Sequence, residues 1–211
     1  MELVHADDAL LVLAKPSGLL SVPGRGADKR DCLSVRAQAR YSDALIVHRL
    51  DMATSGLMAM ARGQAAQRTL SLAFANRGVL KRYEAVVHGV LDTAPDSEGG
   101  WSGIDLPLVL DWPNRPRQKV DPLHGKSSLT RWRVLAHETD ATRVELEPVT
   151  GRSHQLRVHL AALGHPILGD PLYGHEVAKS RAGRLLLHAK TLGLAHPVSG
   201  EWLSFENPVP F

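Results

Sequence analysis

The apolar residues of this 211-residue chain fall in short runs, each stopped by glycine, proline or charge. That pattern limits the fold more than any other feature, because runs of about four to eight residues suit strands better than helices. Residues 9–14 form one such run, halted by Lys15-Pro16-Ser17-Gly18. Further strands are predicted at 44–50, 56–61, 81–90, 184–194 and 202–205, and 81–90 places Tyr83, Ala85 and Val87 on one face. Residues 130–137 and 142–149 read as a hairpin around Glu138-Thr139-Asp140-Ala141. Helical composition is confined to 31–41 with Asp31 as N-cap, 64–77 ended by Gly78, and a helix from N-cap Ser153 to C′ residue Gly164. In that last helix Leu156, Leu160 and Leu163 line one face, and Gln155, His159 and Ala162 the other. Residues 23–29 and 92–103 read as surface loops. Strands outnumber helices, which predicts an α+β fold: a mixed, largely antiparallel β-sheet with flanking helices. No linker composition interrupts residues 1–211, so a single domain is expected.

Composition narrows the class. The chain is 44% hydrophobic and 22% charged, which is ordinary for a globular protein and excludes a disordered or fibrous one. One cysteine, Cys32, excludes a disulfide framework and a Cys-rich zinc site. No run approaches a membrane span, and the first residues show no basic segment leading into an apolar one. A reducing, cytoplasmic setting is therefore expected, with no membrane partner. Charge is unevenly spread: residues 112–133 carry six basic side chains against one acidic, while 86–111 carry five acidic and no basic ones. Such clustering is the footprint of a polyanion binder, although most charge runs are only solvated surface.

Several familiar patterns fail on inspection. Gly125-Lys126-Ser127 imitates the end of a phosphate-binding loop, but the glycine required at position 120 is Val120. Gly24-Arg25-Gly26 has no dinucleotide fingerprint around it. His48-Arg49-Leu50-Asp51 has a leucine where a kinase catalytic loop joins Arg to Asp. His154 and His159 are not at the spacing that puts two metal ligands on one helical face. No metal site is expected.

Two segments carry more. In His48-Arg49-Leu50-Asp51-Met52-Ala53-Thr54-Ser55-Gly56, a carboxylate sits between apolar strands, where a scaffold can hold a reactive group firmly. Its bland reading is a turn aspartate. In Thr150-Gly151-Arg152-Ser153-His154-Gln155-Leu156-Arg157, hydrogen-bond donors crowd one helix N-terminus, a ready anion site. Its bland reading is an amphipathic helix with a solvated face.

Together with Lys81-Arg82-Tyr83-Glu84-Ala85 and Leu185-Leu186-Leu187-His188-Ala189, these segments resemble the RluA family of RNA pseudouridine synthases over nearly the whole chain. The stretch Asp111-Trp112-Pro113-Asn114-Arg115-Pro116-Arg117-Gln118-Lys119 resembles the short family form that carries no S4-type domain and acts on both 23S rRNA and the tRNA anticodon stem-loop. The resemblance implies a pseudouridine synthase fold with a central catalytic cleft, no cofactor, an RNA partner and a monomer. It implies that Asp51 is the essential carboxylate, acting either by covalent attack or by taking a proton from the sugar. Arg152 would hold that carboxylate ionised and oriented, and Tyr83 would stack on the uracil, its hydroxyl a candidate for removing the C5 proton. Leu187 would pack on the other side of the base, and Arg49 would enter the space a flipped base leaves. Lys81, Arg115, Arg117, Lys119 and Arg157 are then phosphate-contact candidates, with His154 and Gln155 as further RNA-binding residues.

Two other classes compete. A nucleoside or glycoside hydrolase also works at an anomeric carbon, but it needs a second carboxylate, and strand alternation turns Glu84 away from Tyr83. A non-catalytic RNA-binding module would gain affinity by losing Asp51.

Overall fold

A computed structural model describes residues 2–24, 26, 29–92 and 98–211. In chain order its elements are β1 (Glu2–Ala6), β2 (Leu10–Lys15), α1 (Leu33–Gln38), β3 (Ala44–Ile46), β4 (Ser55–Arg62) and α2 (Gly63–Ala75). There follow β5 (Leu80–His88), β6 (Ser102–Asp105), β7 (Leu108–Leu110), β8 (Gln118–Val120), β9 (Leu129–Glu138) and β10 (Ala141–Pro148). The chain ends with α3 (Gln155–Ala162), α4 (Glu176–Ser180), β11 (Leu187–Ala195) and β12 (Trp202–Glu206). This is an α+β protein with short helices. Its residues group into two compact units, one of Met1–Lys81 with His188–Pro210, the other of Arg82–Leu187 with Phe211.

The first unit is built on β4. Its sequence, Ser-Gly-Leu-Met-Ala-Met-Ala-Arg, is apolar on both faces, and every residue but the last is buried. β2 pairs with it antiparallel, from Leu10 opposite Ala61 to Lys15 opposite Gly56, and β3 pairs with its far end. β11 joins β4 in parallel, with His188 opposite Ser55 and Ala189 opposite Gly56. Here a glycine is obligatory: Gly56 has φ +111°, and a Cβ would lie 2.3 Å from the Ala189 carbonyl oxygen. Ala66 and Leu70 of α2 close the core against Leu10, Val12, Leu57 and Leu192.

The second unit is an antiparallel sheet ordered β5-β10-β9-β6, beside the separate β7–β8 pair. The predicted hairpin is present, with Asp140 left-handed at the turn (φ 49°) and Ala141 opposite Glu138. Alternation along β10 buries Val144 and Leu146 completely. On the opposite face Glu145 and Glu147 meet Arg133 and Arg131 at 2.6 and 3.1 Å.

Local expectations fail where side chains find better partners. Asp31 caps no helix: Cys32 is the N-cap residue of α1, and the Asp31 carboxylate takes Arg36 Nε and Nη2 at 2.7 and 2.6 Å. α2 stops at Asn76, and the left-handed residue is Arg77 (φ 61°), not Gly78, whose N–H closes on the Ala73 carbonyl at 2.8 Å. Ser153 does not cap α3. His154 does so by adopting φ 55°, with no side-chain cap. Gly164 is left-handed as expected (φ 86°). The strand expected at 44–50 ends at Ile46. β1, β6, β7, β8 and α4 have no counterpart in the sequence reading, and β6 begins inside the loop expected at 92–103. The loop expected at 23–29 lies partly outside the described residues, at 25, 27 and 28, as does 92–103 at 93–97.

Candidate active site

The segment from His48 to Thr54 is irregular, and polar groups grip it along its length. Lys15, at the end of β2, is 1% exposed, and its ammonium donates to the carbonyls of Pro16, Leu19 and Met52 at 2.9, 2.7 and 3.1 Å. A buried cation is costly unless hydrogen-bonded, so these oxygens are what make Lys15 tolerable, and Lys15 in turn ties the segment down. The Gly18 N–H reaches the same Met52 carbonyl at 2.8 Å. The Ser17 hydroxyl donates to Ala53 O at 2.7 Å. Ser21 does double duty on Leu50, donating to its carbonyl at 2.6 Å and accepting its N–H at 3.1 Å. Lys15-Pro16-Ser17-Gly18 is thus more than a strand stop. It cradles the loop that carries Asp51, and the signal for it was a lysine continuing a fully apolar run.

His48 is held from two sides. Its Nε2 accepts the Ala59 N–H at 2.9 Å, and its ring stacks on Phe74 at 4.3 Å between centroids. Burial, helped by the Lys81 ammonium, pushes its pKa down to about 3, so it stays neutral. Arg49 beyond it is exposed and Asp51 half-buried. The Asp51 carbonyl accepts the Thr54 N–H at 3.1 Å, closing the turn into β4. Ser55 then hydrogen-bonds His188 Nδ1 at 2.9 Å, which fixes β11 just after Leu187, itself 3% exposed. Lys81 is half-buried, and burial lowers its pKa.

In the second unit Tyr83 is half-buried on β5, opposite Leu146 of β10. Arg152 lies between β10 and α3 in a loop organised by Gln155. The Gln155 Oε1 accepts from Thr150 Oγ1 at 2.7 Å and from the Arg152 N–H at 3.0 Å. Its Nε2 donates to Leu129 O and Thr130 Oγ1, both at 3.0 Å. The Arg152 guanidinium is exposed, and its Nε donates to Ser127 O at 3.2 Å.

These contacts overturn two of the sequence expectations. Gln155 is 3% exposed with its amide committed internally, so it is a loop anchor rather than an RNA contact. Arg157 is 3% exposed and bidentate to the fully buried Asp170, Nε at 2.8 Å and Nη2 at 2.7 Å. It is not a phosphate contact. A helical wheel could not reveal this, because α3 is buried from Gln155 through Leu160 on every side. His159 is committed likewise, to Thr130 Oγ1 at 2.9 Å and Leu106 O at 3.0 Å, and burial lowers its pKa.

Tyr173, which the sequence reading passed over, gathers several of the candidates. Its hydroxyl accepts the Gln118 N–H at 2.8 Å and meets His154 Nδ1 at 2.7 Å. The Arg117 and Arg157 guanidiniums lie 5.6 and 5.1 Å from its ring centre. Arg115 stacks on the exposed Trp112 at 4.2 Å. Arg115, Arg117 and Lys119 are all exposed on the β7–β8 hairpin, with no ion pair among the described residues. Arg131 and Arg133, counted in the same basic stretch, are neutralised by Glu147 and Glu145. Among the described residues no three His, Cys, Asp or Glu side chains are grouped to hold a metal ion.

Residues 9–162 match the family model for RNA pseudouridylate synthase. The chain belongs to that family, as the segments around Asp51, Tyr83 and Arg152 predicted, and it is an RNA-modifying isomerase. It is 47% identical to the dual-specificity RNA pseudouridine synthase RluA of Pasteurella multocida, over all of this chain and 94% of that one. The Escherichia coli K12 protein of the same name is 48% identical, over 99% of this chain and 93% of its own. That of Yersinia pestis is also 48% identical, over the full length of both. Among solved structures, human RNA pseudouridylate synthase domain containing 1 superposes with a TM-score of 0.79 at 29% identity, covering all of this chain and 84% of that one.

Proposed function

We propose that this synthase converts specific uridines to pseudouridine in structured RNA, with 23S rRNA and the tRNA anticodon stem-loop as its substrates. The observation that carries the reading is end-to-end identity of 47–48% with proteins named as dual-specificity RNA pseudouridine synthases. The N1–C1′ bond of the uridine breaks, the base turns, and a C5–C1′ bond forms. A proton leaves C5 and N1 gains one, so no atoms are added and no cofactor is called for. Asp51 is the reactive carboxylate, either as nucleophile or as base toward the sugar. Arg152 is the cation that keeps it ionised, and Tyr83 and Leu187 hold the loose uracil between an aromatic and an apolar wall. Arg49 fills the gap left by the flipped base, and Arg115, Arg117 and Lys119 meet phosphates, with His154 and Lys81 assisting. The enzyme acts as a cytoplasmic monomer.

Release of tritium from C5-labelled uridine in RNA, with no free uracil, tests the reading. A hydrolase would liberate base, and a binding module would do neither. A stem-loop with the target uridine in its loop is expected to react, and the same uridine in a perfect duplex is not, since flipping from a loop costs less. Equal rates on both would overturn base flipping from a deformable loop as the source of selectivity. Activity on 23S rRNA fragments but not on anticodon stem-loops would overturn the dual specificity.

A further inference from the structure

The register of β3 against β4 shows an unusual exit from a sheet. Ala44, Leu45 and Ile46 pair in turn with Arg62, Ala61 and Met60 of β4. One more pair would set Val47 against Ala59, but the backbone bends at Val47 and pairing stops. The Ala59 N–H, buried in the centre of the sheet, would then lose its partner. It does not, because His48 Nε2 accepts it at 2.9 Å. The side chain thus replaces the next strand carbonyl, so the main chain can peel away while β4 stays satisfied. Phe74 of α2 stacks on a face of the imidazole, 4.3 Å between centroids and 20° from parallel. The next residues are Arg49 and, two beyond it, Asp51.

We infer that His48 is a positioning residue: by taking the Ala59 amide it fixes the point and direction at which the chain leaves the sheet, and so aims Arg49 and Asp51. The inference rests on the reading of Asp51 as the reactive carboxylate. The contacts further along the loop support it. Leu50, Met52 and Ala53 are held by Ser21, Lys15 with Gly18, and Ser17, so the loop has a fixed far end as well. With the loop held again from Leu50 onward, a shift at His48 falls first on Arg49 and reaches Asp51 through Leu50, the residue between them. An acceptor at Nε2 is needed, and a proton-transfer group is not: a neutral imidazole whose Nε2 already holds an amide N–H has no lone pair left there for substrate.

His48→Phe keeps the ring against Phe74 but removes the acceptor, whereas His48→Gln places an amide oxygen near the Nε2 position. Single-turnover rates at saturating enzyme, affinity for a stem-loop RNA, thermal melting and hydrogen exchange of the Ala59 amide would be measured for both. His48→Phe is expected to bind RNA within about threefold of wild type yet turn over at least about tenfold more slowly, because small misplacements of a reacting group are costly. The Ala59 amide should exchange faster in it. His48→Gln is expected to recover the rate to within about threefold of wild type. A wild-type rate in His48→Phe, or a loss confined to affinity, would overturn the inference. So would a folded His48→Gln variant below about a tenth of the wild-type rate, which decides the matter even where the Phe variant does not fold. Asp51→Asn separates the two readings. If it is inactive while His48→Phe is fast, only the positioning role fails; if it retains full turnover, both fail.

Discussion

The loop that carries Asp51 and the loop that carries Arg152 are held by opposite means. The first rests on a buried ammonium, Lys15, which donates to three main-chain carbonyls. The second rests on a neutral amide, Gln155, which serves both as donor and as acceptor to the backbone and hydroxyls around it. The charge that each loop presents explains the choice. A loop presenting a carboxylate gains from a fixed positive charge beneath it, and one presenting a guanidinium would be opposed by it. A neutral anchor also leaves the Arg152 side chain exposed to meet a partner. The comparison teaches that the same task, fixing six or so irregular residues, takes a charged or a neutral solution according to the charge the loop must present.

Experiments can break this contrast. The largest effect is expected at the tip of the first loop. Asp51→Asn should remain folded and RNA-binding but lose more than about a thousandfold in single-turnover rate, since nucleophile and base vanish together. Residual activity above that level would move the reactive group elsewhere. Next, Arg157→Met should leave Asp170 buried without its cation and cost about 3–5 kcal/mol in denaturant unfolding. The salt dependence of RNA affinity should not move, and a shallower slope would return Arg157 to the interface.

The two anchors can then be set directly against each other. Lys15→Met strips three carbonyls of a charged donor and is expected to cost about 3 kcal/mol, whereas Gln155→Leu should cost about 1–2 kcal/mol. Equal costs by chemical denaturation would erase the distinction between a charged and a neutral anchor. At the tip of the second loop, Arg152→Lys should slow turnover about tenfold, some 1.4 kcal/mol of transition-state stabilisation, with affinity nearly unchanged. A lysine that preserved turnover and shifted only affinity would reduce Arg152 to a phosphate contact. The smallest effect belongs to the β7–β8 hairpin. Arg117→Ala or Lys119→Ala should each flatten the log–log salt slope of RNA binding by about 0.7–0.9 while leaving turnover on bound RNA intact.

Much of the fold was legible where local and global preferences agree. The β9–β10 hairpin follows from period-two alternation around a polar turn, and β2 and β4 follow from apolar runs cut by Lys15-Pro16 and by the polar segment before Ser55. Both strands are short and buried, so composition and length suffice. The ends of elements were less legible. Asp31 and Ser153 have the right side chains for capping, but Arg36 claims the first and the left-handed backbone of His154 supersedes the second. A cap competes with every other partner in reach, and only the folded neighbourhood decides that competition.

The same division runs through the site. The motif segments were enough to carry the resemblance to the family, which the family match over residues 9–162 bears out, and it is that resemblance which points to Asp51, Tyr83 and Arg152. What each surrounding polar residue does was decided by tertiary structure alone. Arg157 and Arg117 are both basic residues in recognisable segments, yet one is locked on Asp170 in the interior and the other lies exposed over Tyr173. Lys15 and His48 read as a strand stop and part of a motif, and they prove to be held by Leu19, Met52, Ala59 and Phe74. The physical reason is burial. A charged or polar side chain removed from water must find partners, and which partners come within reach is set by how distant segments pack, which no local pattern records.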